Sequence, residues 1–204
     1  MRTVDPVKHE EKRQEILAAA KRCFVRHGLR GASIAGICTE AGISPGHLYH
    51  YFESKDAILQ AIVEAVLERN AEQFSRTAAN SDALAALMVA SAQSKVRNDD
   101  GTNGLILEML AEAERSPVIA RLVQEHSRGM QKLLADFLRR GQAQREIDPS
   151  LDIEAAAALL VGIIDSFVLT AVHNPALDPA LTTEMLRVLI ARFLTAPITT
   201  GTHV

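Results

Sequence analysis

Tryptophan is absent from this 204-residue chain, cysteine occurs twice, and aromatic residues make up only 4% of it. So few rings, with no apolar–polar alternation of period two, weigh against a β-sheet fold. They also disfavour an aromatic cage around a quaternary ammonium. Two cysteines cannot build the disulfide framework of a small secreted domain. Cys23 and Cys38 fall on apolar helix faces and read as small buried side chains in a reducing compartment. No apolar leader opens the chain, so the expected location is the cytoplasm. Enzyme signatures are missing as well: there is no G-x-S-x-G, phosphate-binding G-x-x-x-x-G-K, G-x-G-x-x-G or H-E-x-x-H. Glu125, His126 and Ser127 are adjacent, but neighbours on a helix point apart. An all-α enzyme is therefore the weakest reading. Nor is there an overall basic excess, since the net charge is −3.

What is present is helical material. Apolar residues reach 48% and charged residues 23%, an ordinary soluble composition. The most informative stretch runs from Ser33 to Phe52. Ile34, Ile37, Cys38 and Ala41 recur at i, i+3, i+4 and i+7, one apolar helical face. Ser33 is placed to cap that helix, and Gly42 stands where it must stop. Ser44 then caps a second helix with Pro45 at its first position, where the missing N–H does no harm. Leu48 and Phe52 are spaced to pack inward, leaving Gly46, His47, Tyr49 and His50 on the other faces. Alone, this pair also fits a plain helical hairpin in an all-α core. As a helix-turn-helix, it would present small, hydrogen-bonding side chains of the size a DNA major groove admits.

From Gly28 to Leu59 the chain resembles the DNA-binding domain of TetR/AcrR-type transcriptional regulators. The likeness is carried by Ser33, Ile34, Ala35, Ile37, Cys38, Ala41-Gly42-Ile43-Ser44, Gly46, Leu48-Tyr49, Phe52, Lys55 and Leu59. Two positions depart from the family pattern. Gly36 replaces a polar helix former and should weaken its helix by about 1 kcal/mol relative to Ala, and Cys38 stands where Ala is usual. Neither touches the second helix.

Within this frame Ser33, Ser44, Pro45, Gly46, His47, Tyr49, His50 and Lys55 are the expected DNA-binding residues. His47 is placed to meet a base edge, and Gly46 lets the backbone approach a base or thymine methyl. Tyr49, Ser33 and His50 are expected on phosphates. Lys55 opens a helix whose first-turn N–H groups and dipole favour a phosphate, so it too is expected there. His47, His50 and Glu53 are too poorly convergent for a metal, and no metal or cofactor is expected. Charge distribution agrees: residues 1–56 carry nine Lys/Arg against seven acids, and the remainder is net acidic.

The whole chain reads as all-α, about nine helices: a three-helix helix-turn-helix head over residues 8–56, a connecting helix and boundary over 57–80, and a larger body over 81–197. The expected helices run from Lys8 to His27, through the pair above, then from Lys55 to about Arg76. Further helices follow from Ser81 or Asp82 to about Val96, from Asn103 to before Pro117, from Pro117 to about Gln142, from Ile153 to Val172, and from Asp178 or Pro179 onward. Breaks are expected at the mobile tail 1–7, at Asn98-Asp99-Asp100-Gly101, at Asn174-Pro175 and at Pro197.

The helix from Ala155 to Val172 is long enough to suggest a membrane span, but Asp165 in mid-helix would cost several kcal/mol in lipid. No membrane association is expected. Such a helix is otherwise buried in a core or against a partner. With the broadly apolar last helix it could pair with its copy into a four-helix dimer seam, and the resemblance implies the same homodimer. Two heads could then read the halves of a palindromic operator on double-stranded DNA, about 34–36 Å apart or a multiple of that. The resemblance also implies a small-molecule effector in the body and the role of a ligand-responsive repressor. Met88, Glu108, Met109, His126, Met130 and Asp165 are the candidates to line its site, although each alone fits a plain core role. An architectural DNA-binding protein without an effector is the alternative.

Overall fold

The computed structural model describes residues 6–97, 101–174, 176 and 178–195. Of the expected tail at 1–7, Pro6 and Val7 instead open the first helix; residues 1–5, the break at Asn98-Asp99-Asp100, Pro175 and the end from Pro197 lie outside the described residues. Among the described residues the chain forms nine α-helices and no strand: α1 (Pro6–Gly31), α2 (Ile34–Ala41), α3 (Pro45–Tyr49), α4 (Lys55–Arg76), α5 (Ser81–Arg97), α6 (Thr102–Ala113), α7 (Pro117–Ala143), α8 (Ile153–His173) and α9 (Pro179–Thr195).

Punctuation residues act where their chemistry puts them. Asp152 caps α8 by accepting Ala155 N–H at 3.0 Å, and Asp178 accepts Ala180 N–H at 2.8 Å before α9. Two starts differ from expectation. The cap of α5 is Asn80, whose Oδ1 accepts Ala83 N–H at 2.8 Å, rather than Ser81 or Asp82. Thr102, not Asn103, opens α6. The expected stop at Gly28 is a break followed by one more turn. Gly28 adopts φ 71° and ψ 174°, a backbone nearly confined to glycine, and the helix resumes to Gly31.

Contacts divide the chain into two units, Met1–Val66 with Gly101–His126, and Leu67–Asp100 with Ser127–Val204. Residues 101–126 thus pack with the N-terminal helices rather than with the rest of the stretch 81–197. The reason lies in α6, whose Leu105 joins a core built on Ile16, Leu17, Cys23, Phe24, Ile37, Leu48, Phe52, Ile58 and Leu59. In the second unit α5 packs on α8 and α9. Its core gathers Leu84, Met88, Leu134, Phe137, Leu138, Leu160, Ile190 and Leu194. Burying an aliphatic or Phe side chain of this kind contributes about 1.5–3 kcal/mol.

Helix α8 is long and apolar enough to cross a membrane, yet a third of its Ile153–Thr170 window (33%) is buried within the protein. Ala156, Ala157, Leu160, Phe167 and Val168 face the interior. Both cysteines are free and buried. Burial pushes the Cys38 thiol up from its ordinary value, which disfavours the reactive thiolate.

Candidate nucleic-acid interface

The site is built on a two-helix turn with closed ends. Ser33 Oγ accepts Gly36 N–H at 3.1 Å and caps α2. Gly42, at φ 64° and ψ 35°, ends it, and Ile43 N–H reaches back to the Cys38 carbonyl at 3.0 Å. Ser44 Oγ accepts His47 N–H at 3.2 Å and caps α3. Each serine spends an acceptor lone pair on its cap, so its hydroxyl proton stays available to donate.

Helix α3 is anchored by one side chain. Leu48 has no exposed surface, and Phe52, just beyond the helix, is buried too. Pro45, Gly46, His47, Tyr49 and His50 are all exposed, Tyr49 to 54%. A Cβ added to Gly46 would meet nothing within 4 Å, so the backbone there stands clear of the protein. Tyr51 is half-buried and packs against the core; its ring stacks on His47 with centroids 5.6 Å apart. Helix α1 is tied to α2 by charge. Arg22 and Arg26 bond the two oxygens of Glu40 at 2.7 and 3.0 Å. The Arg22 hydrogen bond above all, with the Arg26 charge behind it, holds the Glu40 carboxyl below the ordinary glutamate range.

Lys55, expected on a phosphate, is also engaged within the protein. Its Nζ donates to the carbonyls of Leu29 at 2.7 Å and Ala32 at 3.1 Å. These acceptors belong to the chain end left by the Gly28 break, which lacks helical partners and draws the nearby cation. Glu108 is likewise engaged: both carboxylate oxygens lie 3.0 Å from Leu29 N. They crowd Gly28 so closely that a Cβ there would come within 2.8 Å of Glu108 Oε2. Arg30 adds a bond to Glu112 at 2.9 Å. Nothing in the sequence pairs Gly28 with residues so far along the chain; an orphan N–H beyond a breaking glycine was the only available signal.

The six expected effector residues are divided between the two units. Glu108, Met109 and His126 belong to the first unit, and Met88, Met130 and Asp165 to the second. Met88 is buried in the second core, and Met130 packs against it, its sulfur 3.3 Å from Asn70 Nδ2. Asp165 is ion-paired with Lys95 at 2.8 Å. A cleft of about 160 Å³ in the first unit, lined by Phe24, Leu29, Arg30, Lys55 and Ile119 among others, includes none of the six.

A capped helical pair that exposes a short polar helix over an apolar anchor has the geometry of a helix-turn-helix nucleic-acid interface. Known proteins agree. Residues 16–62 match the model of bacterial regulatory proteins of the tetR family, and residues 81–195 match that of the BetI-type transcriptional repressor C-terminal region. The HTH-type transcriptional regulator UidR of Escherichia coli K12 is 32% identical over 151 residues, 74% of this chain and 76% of that protein. The solved structure of Salmonella enterica GusR superimposes with a TM-score of 0.70 at 29% identity, covering 90% of this chain and 95% of that one. FadR from Bacillus subtilis, solved in complex with stearoyl-CoA, shares the fold at TM-score 0.68 and 21% identity, over 87% of this chain and 97% of that one. The chain belongs to the TetR family of bacterial transcriptional regulators, and it is a DNA-binding regulator.

Proposed function

We propose that this regulator is a ligand-responsive repressor that grips a palindromic operator as a homodimer, with α3 in the major groove. The observation that supports this reading is the outward set of Pro45, Gly46, His47, Tyr49 and His50 over the buried Leu48. His47 reads a base edge and Gly46 permits close backbone approach. Tyr49, His50 and the Ser33 and Ser44 hydroxyls hold phosphates on either side. Lys55 serves this surface indirectly, by fastening the start of α4 to the carbonyls that follow the Gly28 break.

The dimer seam is assigned to α8 and α9. Leu181, Met185 and Leu189, at i, i+4 and i+8, are 58%, 54% and 48% exposed, and Leu159 and Leu169 are exposed on α8. A stripe of that size on a single chain calls for a partner, and a second copy presents the same stripe. A small-molecule effector is assigned to the second unit beside Met88 and Met130, with Asp165 as its polar neighbour. The stearoyl-CoA held by the FadR fold supports a body able to accept a ligand. An effector that binds one head spacing better than another shifts the population away from operator binding. The relatives are transcriptional regulators, no enzymatic step is assigned, and the cytoplasm is the proposed location.

Selection of bound fragments from random duplex DNA tests the reading. A palindrome with half-sites about 10–10.5 base pairs apart, or a multiple, is expected. Affinity should fall steeply with salt, and His47→Ala should change which bases are preferred. Recovery of no consensus, with no duplex binding at low ionic strength, would refute it. Titrating small molecules into the resulting protein–DNA complex separates a regulator from an architectural protein.

A further inference from the structure

We propose that His9, on α1 and outside the helix-turn-helix, is a positioning residue for operator recognition. Together with Tyr51 it holds the His47 imidazole in the orientation that reads a base. The inference rests on the reading of α3 as the groove helix.

Three rings are linked through Tyr51. Its ring stacks on His9 with centroids 4.6 Å apart and planes 25° from parallel, and on His47 at 5.6 Å and 10°. One turn further along α1, on the same face as His9, the Arg13 guanidinium lies 5.5 Å from the centre of the Phe52 ring. Two consecutive turns of α1 are thus registered against two consecutive residues, Tyr51 and Phe52, that leave α3.

This arrangement answers a local weakness. Helix α3 has five residues, and the His47 side chain stands exposed on it, where several staggered orientations are open to an imidazole. A base edge is read by one ring nitrogen, which must arrive at hydrogen-bond distance and close to the base plane. A nearly parallel stacked neighbour removes most of the alternative ring orientations before DNA arrives, so less freedom is lost on binding. Tyr51 can serve that purpose only if it is itself held. The protein interior holds one side of it, and His9 adds a second ring contact from α1. His9 therefore acts through Tyr51 on His47 and needs no contact with a base.

The test uses the full-length protein, the duplex it selects, and the set of single-base variants of that duplex, read by fluorescence anisotropy with melting curves in parallel. His9→Ala should reduce discrimination at the base read by His47 by about two- to tenfold, the range of a lost aromatic stack. His9→Phe, which keeps a ring in place, should restore it. In a His47→Ala background, His9→Ala should change discrimination no further. The proposal is overturned if His9→Ala leaves discrimination intact while His47→Ala lowers it, or if the two effects add in full. It is also overturned if His9→Ala weakens every duplex equally with a shallower salt slope, which would make His9 a backbone contact. If His47→Ala alone leaves base preference unchanged, the assignment of His47 falls first and carries this inference with it.

Discussion

Two exposed surfaces of this chain differ in nearly every chemical respect. The one on α3 is small and polar: a glycine, two imidazoles and a phenol around a single buried leucine. The one on α8 and α9 is aliphatic, with Leu159, Leu169, Leu181, Met185 and Leu189 facing outward. The first offers donors and acceptors at fixed positions and suits a partner recognised by hydrogen bonds. The second offers apolar area without direction, which drives association but reads nothing. Exposure alone says little about a helix; the chemistry of what is exposed names the class of partner.

The contrast breaks most visibly on the aliphatic side. The double variant Leu181→Lys, Met185→Lys should weaken self-association by about a hundredfold or more in sedimentation equilibrium, since two central apolar anchors are lost. Its helical content should stay unchanged because both side chains are exposed within the protomer. Operator affinity should fall with it, while single-site, non-specific DNA binding persists.

Next come the changes that disturb how the polar surface is mounted. Gly28→Ala forces a side chain into a glycine-only backbone and against Glu108, and should lower unfolding free energy by about 1–3 kcal/mol. Lys55→Ala strands two carbonyls and should cost about 1–3 kcal/mol in denaturant unfolding. The slope of log affinity against log salt should stay unchanged. A loss of about one unit of slope at unaltered stability would return Lys55 to the phosphate role its position suggests.

The smallest effects sharpen the same comparison. Gly36→Ala should gain about 1 kcal/mol, because an added Cβ would sit 3.4 Å from Cys23 Sγ and Ser33 Oγ, at ordinary contact. Glu40 has a lowered pKa in the folded protein, so its stabilising contribution is present above the ordinary glutamate value. That contribution disappears as the pH falls through the lowered value. Melting temperatures of the wild type and of Glu40→Gln should therefore differ near neutrality and converge in acid.

Several helices were legible because they are bounded by residues with one local use: Ser33 and Ser44 as caps, Gly42 as a left-handed stop, and Pro117 and Pro179 at helix starts. The groove helix was legible for the same reason, its inward and outward positions following from the period of the helix. Partnerships across long separations were not. Lys55 read as a phosphate contact and Glu108 as an effector-site candidate, and nothing local in the sequence signalled the bonds that each makes around the Gly28 break. The packing of 101–126 with the N-terminal helices was hidden too, because an apolar stripe shows that a helix is covered but not by what. The three-ring link through Tyr51 joins two helices by geometry alone, and no spacing rule signals it.

Methylation interference on the selected operator addresses the central claim most directly. Methyl groups at guanine N7 lie in the major groove and those at adenine N3 in the minor groove, so the two modifications report the groove that α3 occupies. Binding should be blocked by N7 methylation at two symmetric positions, with the block lifted at the base read by His47 in His47→Ala. Interference confined to adenine N3, or none at either position, would contradict the account.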